Sequence, residues 1–297
     1  MTRVLRGPWP ARVTWAVLPV LLGPALGDAL DGASRPVQVV VSAGAWAGWV
    51  VVLVATLVPS VVSLTVVRLA APLPLAAASI AAIAGPAGLD DAVALAAGVA
   101  TAAVVVLPST TDAFVDGSSY GTERRFGLAT PPRLLLGPAP VAWLLAIAAP
   151  LGGAVALAAE SWILGAGLLV IAVPGVVLGV PALHRLSRRW LVFVPAGLVV
   201  HDHLALAEPI LLPRRLVASV EPAAGAAEQG VDLTLGARGV GVVLGLVEPI
   251  ELPTAVGLGR RRRAEIVRAE HLLVAPLRPG AALHEAEARR LPVHRPT

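Results

Sequence analysis

The chain contains no cysteine. Disulfides, thiolate catalysis and cysteine-based metal centres are therefore excluded. Lysine is absent as well, so all 23 basic residues are arginine. A GC-rich coding sequence accounts for that bias together with the wealth of Ala, Gly, Pro and Val. Charge is scarce: 14% of the residues are charged, against about 25% in a soluble domain. Aromatics other than tryptophan are scarcer still, with one tyrosine and three phenylalanines. No GxSxG, Walker A loop, HExxH or strand-linked dinucleotide fingerprint occurs. Nothing in the spacing joins a serine or carboxylate to a base, so no enzymatic activity, metal or cofactor is expected.

What remains is a chain of 297 residues, 57% hydrophobic, with mean hydropathy +0.80. Charges are few from Val13 to Leu183 and frequent from His184 to Thr297. This predicts a membrane domain over 1–183 and a soluble domain over 184–297. A helix rises 1.5 Å per residue, so a hydrocarbon core of about 30 Å takes about 20 residues. Six spans are predicted: Ala11 to Gly27, Val39 to Pro59, Val62 to Gly85, Asp91 to Leu107, Gly137 to Ala158 and Trp162 to Leu183. The first and fourth are the shortest. No removable signal peptide is expected, because the first apolar run lacks a small-residue cleavage site and others follow at once.

Arginine placement predicts the orientation. With the N-terminus in the cytoplasm, Arg3, Arg6, Arg12, Arg124, Arg125, Arg133, Arg185, Arg188 and Arg189 fall inside, and Arg35 alone falls outside. Both termini and the 112–132 connection are then expected in the cytoplasm, and the protein in the cell (inner) membrane. Asp90 or Asp91 is placed at a helix start, where carboxylates meet free N–H groups and the positive end of the dipole. Trp9, Trp15, Trp162 and Trp190 are expected near the membrane surfaces. Gly44 and Gly48, and Gly175 and Gly179, have GxxxG spacing, read as close helix packing or chance rather than a specific dimer.

Past Arg189 the pattern turns to short strands: "WLVFVP" and "GLVVHD" as a hairpin turning at "AG", then "LALAEPILLP", "LVASVEP", "VDLTLGA" and "GVVLGLVEPIELP". "GARG" is read as a second turn between the last two. "AEPILLP" and "VEPIELP" are read as edge strands ending at a proline. "HLLVAP" is the last strand and "PGAALHEAEARRL" a terminal helix, with Glu285 and Arg289 at i, i+4 spacing. The predicted fold class is an α-helical transmembrane bundle followed by a small antiparallel β domain closed by a C-terminal helix. From Arg189 to Leu291 this strand order and strand–proline–helix ending resemble the bacterial pleckstrin-homology-like domain. The whole chain also resembles uncharacterised multi-pass membrane proteins of actinobacteria. The first resemblance implies a binding or assembly module. It implies no phosphoinositide site, because no lipid-ligand residues of that family match here.

Four places carry the candidate residues. The connection from Pro108 to Arg133 is long for a compact protein, and such loops are functional or disordered. It holds Phe114, Tyr120 and Phe126 with Glu123, Arg124 and Arg125. Three readings stay open: anchoring at the headgroups, docking onto the C-terminal domain, and binding of an external ligand or partner. Arg68 is the only charge well inside an apolar run, with Pro72 and Pro74 following. It reads as a snorkelling or structurally paired side chain first and as part of a transport path second. His201 and His203 share one face of a strand, but two histidines without a spaced partner do not make a zinc site. Arg260, Arg261, Arg262 and Arg263 form the densest charge run, suited to anionic lipid or solvent. The sequence pI of about 11.0 would suit nucleic acid, yet the formal net charge is only +4 and most charge lies beside apolar segments. The expected partners are therefore the lipid bilayer, its anionic cytoplasmic headgroups and a membrane or envelope protein, with no nucleic acid. The leading expectation is a non-enzymatic scaffold or accessory subunit. A small-solute or ion transport component built on Arg68 and the proline-broken third helix is the alternative, and a membrane enzyme comes third.

Overall fold

The computed structural model describes residues 7–84, 88–223, 230–237, 239–257 and 263–294. The chain divides into two compact units. One comprises Met1–Gly117 with Pro140–His184, the other Ser118–Ala139 with Arg185–Thr297. The expected boundary after residue 183 therefore captures the tail but not the insertion. Residues 118–139, expected to join two spans within the membrane domain, belong to the second unit.

The first unit consists of apolar helices. In chain order they are α1 (Trp9–Leu30), α2 (Arg35–Leu57), α3 (Val61–Ala70), α4 (Pro72–Ala84), α5 (Leu89–Val106) and α6 (Pro108–Asp116). After the insertion, which carries α7 (Pro132–Leu136), come α8 (Pro138–Trp143), α9 (Ala149–Ala158), α10 (Trp162–Pro174) and α11 (Val180–Ser187). Six helical stretches are long and apolar enough to cross a membrane: Trp9–Leu30, Arg35–Leu57, Val61–Ala84, Leu89–Val106, Pro138–Ala158 and Trp162–Ser187. They match the six predicted runs, and the first is longer than its apolar core suggested. Asp91 Oδ2 accepts from the Gly88 N–H at 2.8 Å and so holds the start of α5 as expected.

The ends of α1 and α2 satisfy one another. Arg12 Nε donates to the Thr56 carbonyl at 2.8 Å, in the last turn of α2. Gln38 Nε2 donates to the Leu30 carbonyl at 3.0 Å, the last residue of α1. Both fill carbonyls that a helix end leaves without partners. Midway, the Trp15 indole donates to the Trp49 carbonyl and the Trp49 indole to the Trp15 carbonyl, each at 3.0 Å. Trp15 is consequently buried between helices, whereas Trp9 and Trp162 are exposed.

Small residues set the remaining contacts. Ala25, Ala78, Ala81 and Ala94 pack α1, α4 and α5 together. The fifth and sixth spans each contain a π-helical turn, Leu144–Ala148 and Gly175–Gly179. A Cβ on Gly175 would lie 2.5 Å from the Leu145 carbonyl oxygen, and one on Gly179 would lie 3.0 Å from that of Ala142. This second GxxxG pair thus works as the sequence suggested, by close packing within the chain.

The second unit contains two four-stranded sheets. The first has the order β1 (Arg124–Gly127), β2 (Arg189–Val194), β3 (Gly197–Asp202), β4 (Ile210–Pro213), all antiparallel. The second contains β5 (Val217–Pro222), β6 (Val231–Asp232), β7 (Val242–Val256) and β8 (Arg263–Val274), in the order β5-β7-β8-β6. The C-terminal helix α12 (Pro279–Ala288) follows. One core joins both sheets and the helix, with Phe126, Leu191, Phe193, Leu198, Leu244, Leu272 and Ala286 among its members.

Three strand expectations change. "VDLTLGA" yields only the two-residue β6, parallel to β8, because Asp232 Oδ1 takes the Thr234 N–H at 2.7 Å and turns the chain. β6 and β7 do not pair, so the chain at "GARG", whose Arg238 lies outside the described residues, does not join them as neighbouring strands. "VEPIELP" lies inside β7 rather than ending an edge strand. Its first proline falls at the bulge between Gly245 and Ile250, where the ladder is already broken. "AEPILLP" does end in an edge strand, β4. β2 and β3 form the expected hairpin, but it turns at Pro195–Ala196 rather than at "AG", Ala196–Gly197, and Glu285 and Arg289 pair at 2.7 Å.

Candidate functional site

The 112–132 segment, read as a single loop, splits into three environments. Pro108–Asp116 is the helix α6 of the first unit, started by a proline whose missing N–H costs nothing there. Phe114 is 0% exposed in it. Residues 124–127 form β1, and Phe126 is 5% exposed in the β core, edge-on to Phe193 at 5.5 Å. Phe114 and Phe126 are thus core residues of two different units and are not surface anchors. Tyr120 alone is a surface group, at 86% exposure.

The insertion is fastened along its length. Glu123 Oε2 accepts from Arg125 at 3.1 Å. Arg289 donates to the Thr122 carbonyl. The Ala129 N–H donates to the Ala275 carbonyl and the Leu277 N–H to that of Gly127, both at 2.8 Å. β1 therefore pairs with β2 on one side, and the residues after it bridge to the end of β8. Arg124 is exposed on its edge.

Arg68 lies on a polar face of α3. Thr65 and Arg68, three residues apart, share that face. The Thr65 hydroxyl lies 2.7 Å from His184 Nδ1, and Arg68 donates to the Thr111 hydroxyl of α6 at 2.8 Å. Pairing across helices, not snorkelling, is what the side chain does. Asp112, expected in an open connection, is buried in α6 beside Thr110 and Thr111. Pro72 and Pro74 have no N–H to offer the carbonyls of Arg68 and Ala70, so the third span breaks between α3 and α4. The Leu69 carbonyl between them accepts from the Trp143 indole at 2.7 Å. Chemically the face offers a fixed guanidinium, two hydroxyls and the His184 imidazole, bonded to one of those hydroxyls, among apolar helices. That is a set of donors for an anion or a structural knot.

The first hairpin of the β unit holds two further clusters. On its inner face Arg189 and Asp202 form an ion pair, with Nε–Oδ1 2.9 Å and Nη2–Oδ2 2.7 Å and side-chain exposures of 1% and 0%. Arg189 also donates to the Ala129 carbonyl at 2.7 Å, and Asp202 Oδ1 accepts the Leu204 N–H at 2.9 Å. One buried pair therefore ties together β2, β3, the insertion and the turn after β3. On the outer face, His201 stacks on Trp190 at 4.2 Å with the rings 5° apart, and His203 stands edge-on to His201 at 4.5 Å. The Arg125 guanidinium lies 5.9 Å from the Trp190 ring. Trp190, expected at a membrane surface, is a buried strand residue. Burial, together with His203 and Arg188, pushes His201 down to about 4, so it is neutral at pH 7.

Of the arginine run, Arg263 begins β8 and is exposed, while Arg260, Arg261 and Arg262 lie outside the described residues. No group of three or more His, Cys, Asp or Glu is placed to hold a metal among the described residues. The Arg189–Asp202 pair depends on where the hairpin turns: a turn at "AG", Ala196–Gly197, would set Arg189 opposite Leu204. A hairpin turning at 195–196 sets Arg189 opposite Asp202 and Trp190 opposite His201. The Thr65–His184 and Arg68–Thr111 contacts had no sequence signal, since sequence separation says nothing about which spans are neighbours. When the chain is compared with protein-family models, curated proteins and solved structures, none of them matches it.

Proposed function

We propose that this chain is a multi-pass protein of the cell (inner) membrane whose β unit is a pleckstrin-homology-like module that binds or assembles with another membrane or envelope protein. It acts as a scaffold or accessory subunit and not as an enzyme. Both termini and the β unit lie in the cytoplasm, on the strength of the arginine asymmetry. One antiparallel and one mixed sheet sharing a core with a C-terminal helix support the pleckstrin-homology-like assignment.

The observation that carries a binding role is the outer arm of β7 and β8. Leu252 and Ala269 are still buried in the core, whereas Val256 is 49% and Ile266 68% exposed beyond them. Arg263 and Arg268 flank these apolar groups on β8, and the sequence adds three arginines just before it. Val256 pairs with Arg263 and Ile266 with Pro253, so the two lie on opposite faces of the arm, each an exposed apolar side chain beside an arginine, with Glu251 and Glu265 exposed between them. Such mixed apolar and charged faces suit contact with a partner. A photo-crosslinking residue at Ile266, in native membranes, is expected to capture one defined protein. Capture of a scatter of neighbours would overturn the assembly role, and capture of lipid alone would reassign the arm to anionic headgroups. A cytoplasm-active reporter inserted at Gly121 is expected to be active and an export-active one silent; the reverse would overturn the orientation.

The Arg68–Thr111 contact favours a second reading, in which the polar face of α3 lines a path for an ion or small solute. On that reading Arg68→Ala abolishes flux in reconstituted vesicles while leaving the protein folded. Unchanged flux would remove transport.

A further inference from the structure

The outer face of the β2–β3 hairpin gathers groups that share one property: each is a cation or becomes one on acidification. His201 on β3 is stacked on Trp190 of β2, with His203 edge-on beyond it. Arg125 on β1 lies over the same indole. Arg188, in the chain entering β2, acts on His201 through its charge. Glu123 pairs with Arg125 and offsets its charge, while Asp202, between the two histidines, turns to the opposite face and pairs with Arg189. On the other side of β3, strand β4 carries the sequence Ile-Leu-Leu-Pro and offers no titratable group. His201 Nδ1 is buried without a hydrogen-bond partner among the described residues.

We propose that this cluster is an acid-sensitive latch, in which protonation of His201 adds a cation beside Arg188 and His203 and opens the β2–β3 hairpin at its Arg189–Asp202 end. The Trp190 face attracts a protonated ring, which works against opening. Backbone hydrogen bonds at Arg188 and His201 act the same way, and burial of the ring with the charges of His203 and Arg188 outweighs them. The location makes the response local. His201 and His203 flank Asp202 in sequence, so displacing them pulls on the strand that holds the buried ion pair. The sign follows from burial. The open hairpin takes up a proton near the ordinary histidine value of 6.5 and the closed one only near 4, so opening is favoured as pH falls through that window. The latch is closed at pH 7, and the inference is independent of the proposed assembly role.

The test is amide hydrogen exchange on the full chain in detergent, at pH 7 and pH 5, corrected for intrinsic rates. Opening of peptides spanning 189–203 is expected to rise on the order of tenfold at pH 5, with β7 and β8 unchanged. His201→Phe keeps an aromatic ring on Trp190 and cannot take a proton, so it is expected to lose the response. An equal response in wild type and variant, or exchange rising throughout the β unit, would overturn the proposal. Exchange of the histidine C2 proton in the wild-type chain gives the His201 titration without any substitution. A depressed midpoint supports the latch, and an ordinary one overturns it.

Discussion

Arg189→Ala is expected to destabilise the β unit by about 3–5 kcal/mol. The side chain it removes answers two Asp202 oxygens and the Ala129 carbonyl. Asp202 would be left as a carboxylate without a cation in a site of 0% exposure. Breaking one half of such a pair costs far more than the pair contributes, because the survivor stays desolvated. Replacing both partners by apolar residues, Arg189→Met with Asp202→Leu, is expected to recover part of the loss. Recovery is incomplete because Ala129 and the Leu204 N–H still lose their partners. Hydrogen exchange of the β2–β3 amides against denaturant measures both variants. A loss below about 1 kcal/mol for Arg189→Ala would mean that water reaches the pair, as it does in surface ion pairs.

Phe126→Ala is expected to cost about 3–5 kcal/mol, and Tyr120→Ala to stay within about 0.5 kcal/mol. The two residues lie in the same short insertion and are both aromatic, yet one fills the core against Phe193 and the other is in solvent. Truncating Phe126 removes that ring contact and leaves a cavity beneath β1. Limited proteolysis gives the readout. The Phe126 variant is expected to be cut within 118–139 at protease levels that leave wild type and the Tyr120 variant intact. Equal sensitivity in the two variants would mean that β1 is a surface strap and not a strand of the unit.

The helical part was legible because one physical requirement, about 20 apolar residues per span, fixes it locally. Each predicted run has its helix, and charge asymmetry suggested the sidedness. The β strands were legible where alternation and a turn coincide, as at 189–202. They were lost where side chains reshape the backbone, as Asp232 does. The insertion was hidden for a different reason. "RRFG" is four residues long, and its partner strand begins at Arg189. Strand pairing over such a distance leaves no periodic mark, so aromatics that belong to two cores looked like one loop with a surface purpose. Arg68 was recognisable as exceptional from its position alone. Its partner was not, because Thr111 sits in a stretch whose polar residues suggested a loop.

The pairing of β1 with β2 also imposes an order in time. Arg124 leaves the ribosome well before Phe193, the residue it will face, and the fifth and sixth spans are made in between. At about 5–20 residues per second that interval is on the order of several seconds. During it β1 is a strand without a sheet, and Phe126 is an apolar side chain without a core. The β unit can close only after the last two spans have been synthesised, so their insertion and the completion of the sheet become steps of one assembly. A segment consisting of residues 185–297 alone would lack an edge strand, a core phenylalanine and one acceptor of its buried arginine, and is therefore not a self-sufficient domain.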